Sequence, residues 1–191
     1  PSPLLGDARR SDWTRTAFAG ANLDWQPGLQ RLTATTSASQ QTFQRFDFLD
    51  NTGLSGVARW AMVAGDRFTG DATASYRRSL GSFEDFRDTQ RDVQTARSVD
   101  LDLDYWITPD LALRVGGGRR DNRHDLASRQ PSDQDTRYWF TGTAWRTPLG
   151  NRFGIEYRHE RGQFPNRDFS ALSTADDGYT QQTGSLTAAW Q

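Results

Sequence analysis

Hydrophobic and polar residues alternate one by one along most of this chain. From Val99 to Tyr105, one face of an extended strand holds Val, Leu, Leu and Tyr, and the other holds three aspartates. The same alternation runs from Arg152 to Arg158. Since successive side chains of a strand point to opposite faces, these stretches predict strands with one apolar and one polar face. Helical periodicity is hard to find, and we expect about nine strands, each of roughly ten residues or more.

The other predicted strands show the same alternation, which is clear in most of them and weak in one. The residues predicted to share the apolar faces are Trp13, Ala17, Ala19, Ala21, Leu23 and Trp25; Leu54, Ala58, Trp60 and Met62; Phe68, Ala72, Ala74 and Tyr76; Tyr138, Phe140 and Ala144; and Leu186, Ala188 and Trp190. The stretch from Leu32 to Gln41 is mostly Thr, Ser and Ala and indicates a strand only weakly.

The predicted connections between strands are alternately short and long. Short turns, rich in Pro, Gly and Asp, are predicted at 26–28, near 65–66, at 108–110 and at 147–151. Long polar loops are predicted near 45–52, 81–96, 121–136 and 162–181. Short turns at one rim and long loops at the other are typical of outer-membrane β-barrels, where the turns are periplasmic and the loops extracellular.

The sequence therefore predicts an all-β, antiparallel transmembrane β-barrel over residues 1–191, located in the outer membrane of a Gram-negative bacterium. A soluble β-sandwich also has alternating strands, but it gives no reason for short and long connections to alternate. Bacterial single-chain barrels have an even number of strands. An odd count therefore leads us to expect that this chain is the C-terminal part of a larger barrel.

Five tryptophans near predicted strand ends on the short-turn side form a candidate aromatic girdle. Tryptophan is enriched at membrane interfaces, where the ring is buried and the indole N–H stays hydrated. The candidates are Trp25, Trp60, Trp106, Trp145 and Trp190. Trp106 and Trp145 have the parity of the predicted polar face, which leaves an inward orientation open for both.

Composition excludes several classes of function. The 23 basic residues are all arginine and nearly balance 24 acidic residues, so no charge excess favours nucleic acid. The chain has no cysteine, which excludes disulfides, zinc knuckles and a thiol nucleophile. No apolar run is long enough for a transmembrane helix. We expect no metal and no cofactor, and we expect lipid of the outer membrane as a partner.

Charged residues on the predicted polar faces are candidates for lining the lumen. Asp100, Asp102 and Asp104 share one face, and a turn near Pro109 places Arg114 near Asp102 or Asp104. Gly116 and Gly118 are expected to leave the remaining carboxylates uncovered. Arg120, Arg152, Glu156 and Arg158 are further lumen candidates. These groups either stiffen the barrel through Asp–Arg pairs or form a polar track for sugar hydroxyls or a cation.

Aromatic residues of the long loops and the two histidines are the remaining candidates for a functional role. Phe46, Phe48, Phe83 and Phe86 lie in long loops, where they either stack on sugar rings or pack the loops together. His159 lies next to Glu160, but adjacent strand residues point to opposite faces, so we expect His159 to face lipid and Glu160 the lumen. The chain is therefore not expected to be an enzyme.

The repeat "FEDFRDTQRDVQTARSVDLDLDYWITPDLALRVGG" resembles the hairpins of the EpsL family of outer-membrane proteins, which are encoded with exopolysaccharide machinery. The F-x-D-F-R loop and the Trp and Thr-Pro before the next strand carry the resemblance. It implies a role in export or surface anchoring of an exopolysaccharide, with the polymer and other export proteins as partners. The alternatives are a general diffusion porin or structural barrel without a glycan role, and a soluble β-rich sugar-binding module.

Overall fold

A computed structural model describes residues 13–44, 47–81, 91–167 and 176–190 of the chain. Within these residues, nine strands form one antiparallel sheet in which each strand pairs with its neighbour in sequence. The strands are β1 (Thr14–Trp25), β2 (Arg31–Phe43), β3 (Asn51–Ala64), β4 (Phe68–Leu80), β5 (Val93–Thr108), β6 (Leu111–His124), β7 (Gln134–Arg146), β8 (Arg152–Gln163) and β9 (Gly178–Ala189). The predicted fold class and number of strands are confirmed.

Tight turns join the strands at one end of the sheet, as the sequence predicts. Gly28, Gly65 and Gly150 lie in three of these turns with φ of 65°, 61° and 88°. Side chains with a Cβ rarely adopt this left-handed region, which explains glycine at these positions. The fourth turn follows Thr108, whose Oγ1 accepts the backbone N–H of Leu111 at 3.1 Å.

The longer connections all lie at the opposite end, and they are shorter than predicted. β5 already begins at Val93 and β7 at Gln134, inside ranges predicted as loops. The connection between β6 and β7 contains a 3-10 helix at Ala127–Ser132 that was not predicted. Two buried acids hold this connection: Asp92 pairs with Arg129 at 3.2 Å, and Asp133 contacts His124 Nδ1 at 3.0 Å.

The two faces of the sheet differ in chemistry and in exposure. One face is mainly apolar and open, and Val99, Ile155 and Leu186 on it are 61%, 62% and 81% exposed. Along β7, side chains of the other face are buried while alternate residues are exposed. Crowded side chains on one face and spread ones on the other indicate a curved sheet, whose concave side we call the inner face and whose convex side we call the outer face.

The prediction for β7 was wrong about which residues face outward. Tyr138 and Phe140 lie opposite Gly118 and Gly116, on the inner face. Ala144 shares this face, and the outward residues are Trp139, Thr141, Thr143 and Trp145. Both faces of β7 carry aromatic residues, so the local pattern does not discriminate between them, whereas pairing with β6 does.

The weakly predicted stretch at Leu32 to Gln41 lies in a full-length strand, β2. Its twelve paired positions with β1 and eleven with β3 align Ala34 and Ala38 with the apolar outer face of both neighbours. Neighbouring strands therefore determine the register of a stretch whose own alternation is faint.

Candidate functional site

Three aspartates on β5 form the centre of the charged inner face. Asp100, Asp102 and Asp104 lie opposite Gly118, Gly116 and Arg114 of β6, respectively. The side chains of alternate residues stand about 7 Å apart along the strand. The three carboxylates therefore form a row that runs along the strand, and each has different neighbours.

Asp104 of β5 forms an ion pair with Arg114 of β6, which also lies near a carboxylate of β8. Arg114 Nε lies 3.0 Å from Asp104 Oδ1, and Arg114 Nη1 lies 3.9 Å from Glu156 Oε2 on β8. Each of these side chains is about one-third exposed. Of the two neighbours that the sequence allows for Arg114, Asp102 and Asp104, the structure pairs it with Asp104, and Arg114 bridges two carboxylates of the inner face.

Asp100 is covered rather than exposed, contrary to the expectation from the two glycines. The Tyr138 hydroxyl donates a hydrogen bond to Asp100, and Arg120 lies 3.4 Å from the same carboxylate. A Cβ on Gly118 would lie 2.9 Å from the Tyr138 ring, and one on Gly116 would lie 2.5 Å from the Phe140 ring. The glycines thus make room for aromatic rings from β7, which the sequence pattern did not reveal.

Guanidinium groups surround the Tyr138 ring. Arg158 lies 3.7 Å and Arg120 lies 5.2 Å from the ring centroid, within the range of a cation–π contact. Arg158 also pairs with Glu160 at 3.2 Å, and the Tyr179 hydroxyl donates to Glu160 at 2.9 Å. One connected network of acids, arginines and phenolic hydroxyls therefore spans β5 to β9 on the inner face.

Asp102 differs from its two neighbours because it forms no ion pair within the described residues. It lies opposite Gly116 on one side and Asp71 on the other. Asp71 is itself paired with Arg59 at 2.6 Å. Asp102 is consequently the carboxylate of the row with the least local charge compensation.

Arg152 lies away from this network. It is exposed at the turn end of β8, and the residue paired with it on β7 is another cation, Arg146. Six of the eight predicted charged candidates thus contact other members of the inner face, Asp102 lies in the same row without an ion pair among the described residues, and Arg152 lies apart.

Four of the five predicted girdle tryptophans lie on the outer side at the turn end. Trp25, Trp60, Trp145 and Trp190 are between 47% and 72% exposed. Trp145 and Trp190 both contact the Phe153 ring. Trp60 Nε1 donates to Gln30 at 3.0 Å. An exposed indole ring whose N–H has a hydrogen-bond partner, as in Trp60, is typical of a membrane interface.

Trp106 is not part of this girdle. Its indole N–H donates to Thr69 Oγ1 at 3.1 Å, and the Arg146 guanidinium lies 5.6 Å from its ring. Thr69 lies on the inner face, opposite Asp104. Trp106 shares the parity of Asp104 and therefore points inward, the orientation that its polar-face parity had left open.

A second aromatic cluster lies on the outer face near the loop end and was not predicted. Trp139 contacts the rings of Tyr157 and His159 at 5.5 and 5.7 Å between centroids. His159 thus faces outward, while Glu160 is hydrogen-bonded on the inner face, as expected from strand geometry. The sequence signal for this cluster is Trp139 itself, which lies on the face of β7 opposite the one predicted to be apolar.

The described residues hold no group of three or more His, Asp or Glu side chains placed to share a metal ion. Of the loop phenylalanines, Phe48 lies in a 3-10 helix, Asp47–Leu49, and is 48% exposed. Phe46, Phe83 and Phe86 lie outside the described residues. No helix in the described parts of the chain is long and apolar enough to cross a membrane.

Comparison with known proteins supports the architecture. No family model matches the chain, and the search of curated proteins found no match either. The outer membrane channel DcaP of Acinetobacter baumannii has a similar structure, with a TM-score of 0.67 and 16% identity over 95% of this chain and 54% of that one. The chain folds as the wall of an outer-membrane β-barrel.

A second structure is similar in the same way. OmpT, an outer membrane protein of Vibrio cholerae, matches with a TM-score of 0.52 and 12% identity over 94% of this chain and 61% of that one. The chain thus spans a little over half the length of both proteins. An outer-membrane location follows from this fold together with the open apolar outer face, because such a surface is stable against lipid rather than water.

Proposed function

We propose that this chain forms part of the wall of an outer-membrane channel for hydrophilic solutes. The observation that carries the proposal is the polar network on the inner face, which extends from Asp100 on β5 to Glu160 on β8. A polar, charged interior suits a water-filled channel such as that of porins, whereas an apolar interior would exclude ions and sugars. The similarity to an outer membrane channel supports the same function.

The proposal includes further strands that close the barrel. β1 and β9 each pair with a single neighbour within the described residues. Unpaired backbone groups at a sheet edge are costly in the hydrocarbon core, so both edges need partners there. We place the tight turns in the periplasm and the longer connections outside the cell, which is the arrangement of known outer-membrane barrels.

Asp102 is the residue at which a channel function is tested most directly. Its carboxylate lacks an ion pair within the described residues, so its charge acts on ions that pass the inner face. We expect Asp102→Asn, in the full-length protein that contains this chain, to lower the preference for cations over anions in planar bilayers. Asp121→Asn removes the same charge from the outer face and should leave the reversal potential unchanged.

The same bilayer measurement can contradict the channel proposal in two ways. A full-length protein that folds but shows no ion conductance would contradict a channel. Equal reversal potentials for the wild type, the Asp102→Asn variant and the Asp121→Asn variant would show that the aspartate row does not line a conducting path.

An exopolysaccharide role is the second candidate function. One support is the resemblance of the β4–β5 connection and the β5–β6 hairpin to hairpins of the EpsL family. The other is the set of charged side chains on the inner face. Tyr138 and Phe140 are buried beneath this network, so a polymer would meet its carboxylates and guanidinium groups, which are good partners for sugar hydroxyls. Export would use this face as a track, and surface anchoring would use it as a binding site.

Added polymer separates the two candidates. If the protein handles the polymer, the secreted polysaccharide of the host strain should reversibly reduce the conductance. Tyr138→Ala removes the group that contacts Asp100 and Arg158, so it should weaken that block. An open pore whose current does not respond to the polymer favours a general porin. Tyr157→Ala, which changes a tyrosine of the outer face, is the matched control.

A further inference from the structure

We propose that the outer face binds the phosphorylated headgroup of a lipid in the outer leaflet, through arginines near the loop end of β6, β7 and β8. We call Arg119, Arg137 and Arg161 the arginine patch. The three residues lie directly opposite one another across the three strands. Each points outward, because it shares the parity of lipid-facing residues such as Val115, Trp139 and Ile155.

Charge on the outer face of the described strands is confined to the loop end. It consists of seven arginines and two aspartates together with His159: Arg15, Arg78, Arg97, Arg119, Arg123, Arg137, Arg161, Asp121 and Asp135. At the turn end, the same face carries the aromatic residues Trp25, Trp60, Trp145 and Phe153 instead. This asymmetry distinguishes the two membrane interfaces chemically.

The position of the arginine patch matches the interface of the membrane. Arg119, Arg137 and Arg161 each lie eight residues along their strands from the row formed by Leu111, Trp145 and Phe153. With about 3.3 Å per residue and a strand tilt of roughly 35–45°, eight residues span about 20 Å along the membrane normal. If the turn-end aromatics lie at one interface, the arginine patch lies near the headgroups of the other leaflet.

Acidic neighbours compensate this patch only in part. Asp135 forms an ion pair with Arg119 and lies 3.9 Å from Arg137 Nε. Arg161 has no ion pair within the described residues. The side chains of Arg119 and Arg137 remain 54% and 69% exposed. Like charges directly opposite one another on a sheet are destabilising, so an external anion would stabilise this row.

A phosphate group suits the chemistry of the arginine patch. Guanidinium groups donate two parallel hydrogen bonds to phosphate oxygens, and these bonds are stronger in a site that lipid shields from water. The outer leaflet of a Gram-negative outer membrane consists of glycolipid with phosphates on its headgroup sugars. Such a lipid would place its acyl chains against Val115 and Ile155 and its phosphate at the arginine patch.

Binding of lipid A to the purified full-length protein tests this proposal. We would titrate the protein in detergent micelles with diphosphorylated lipid A and with dephosphorylated lipid A, and count bound lipids by native mass spectrometry. We expect the phosphorylated form to bind more tightly. We also expect the triple variant R119Q/R137Q/R161Q to lose this preference, with an affinity that is lower by a factor on the order of ten or more.

Two further variants keep the result interpretable. Arg161→Gln alone leaves no aspartate without its partner among the described residues, and it is the variant to use if the triple variant does not fold. Arg15→Gln changes an outward arginine on β1, far along the sheet from the patch, and should bind lipid A like the wild type. Heat-modifiable migration on a gel checks that each variant is folded.

Three outcomes would overturn the proposal. They are equal binding of both forms of lipid A, unchanged affinity in the folded triple variant, and equally tight binding of phosphatidylglycerol, which would point to general anionic lipid binding. The proposal depends on the outer-membrane location and on the orientation of the loops, but not on conduction. Because the patch faces away from the lumen, its variants should leave the conductance unchanged.

Discussion

Glycines on the inner face of β6 define where aromatic rings of β7 lie. The rings of Phe140 and Tyr138 cover Gly116 and Gly118, and the Tyr138 hydroxyl reaches Asp100. Any side chain at these positions would compete with a ring for the same space. Backbone atoms also limit this space, because the Leu101 carbonyl oxygen lies close to the position of a Cβ on Gly116. The role of these glycines is therefore to permit close packing rather than an unusual backbone conformation.

Substitution of Gly116 tests this packing. We expect Gly116→Ala to lower the free energy of unfolding by about 1–3 kcal/mol, because the Phe140 ring and the backbone of β5 must move. Gly184→Ala is a matched control, since a Cβ at Gly184 would contact nothing within 4 Å. Urea unfolding of the full-length protein in liposomes measures both. A Gly116→Ala variant as stable as Gly184→Ala would contradict the ring-over-glycine packing.

At the scale of the element, each strand presents one face to lipid and one to the lumen, and its ends differ from its middle. On β5, Leu101 lies halfway between Tyr105 near the turn end and Arg97 near the loop end. The outer residues Val99, Leu101 and Leu103 are 37% to 61% exposed because none of the described residues covers them. Lipid would cover this surface, so the cost of a charge there depends on depth.

An arginine scan along the outer face tests that depth dependence. We expect Leu101→Arg to destabilise the folded protein in liposomes by about 2–4 kcal/mol, because it places a charge near the middle of the bilayer. Gln163→Arg places the same charge at the loop end of β8, opposite Asp135, and should cost roughly 0–1 kcal/mol. Similar costs at both positions would mean that the outer face is not in contact with the hydrocarbon core.

At the scale of the whole molecule, the sheet combines a polar concave side with an apolar convex side and two edges that need partners. These three features are consistent only if the chain is part of a closed wall between lipid and water. A soluble sandwich would bury its apolar face against a second sheet, and the described residues form one sheet only. The architecture therefore requires a membrane for stability.

Cell fractionation of the full-length protein tests this conclusion. We expect the protein in the outer-membrane fraction, and we expect it to migrate faster on a gel before boiling than after boiling, because a closed barrel resists detergent until it is heated. A boiled sample provides the unfolded reference. Recovery of the protein as a soluble species with the same migration before and after boiling would exclude the barrel, and with it the channel.

Much of this fold could be predicted from local pattern alone. The alternation from Val99 to Tyr105, the turn residues near Pro109 and the opposition of Asp104 and Arg114 all follow from a period of two and a hairpin. These features are local, since each depends on residues within about 20 positions of one another. Hairpin register is then determined by the turn, which explains why the sequence places Arg114 near Asp102 or Asp104, and the structure selects Asp104.

Only the tertiary structure decided which face of β7 points inward and where Trp106 points. β7 has aromatic residues on both faces, and its register relative to β6 depends on a connection whose 3-10 helix no periodic pattern reveals. The contact between Asp100 and Tyr138 joins residues 38 positions apart and exists only because β6 offers glycines between them. Alternation along the sequence defines two faces for each strand. Pairing with neighbouring strands assigns those faces to lipid or lumen, because all strands of one sheet must turn their lipid-facing residues to the same side.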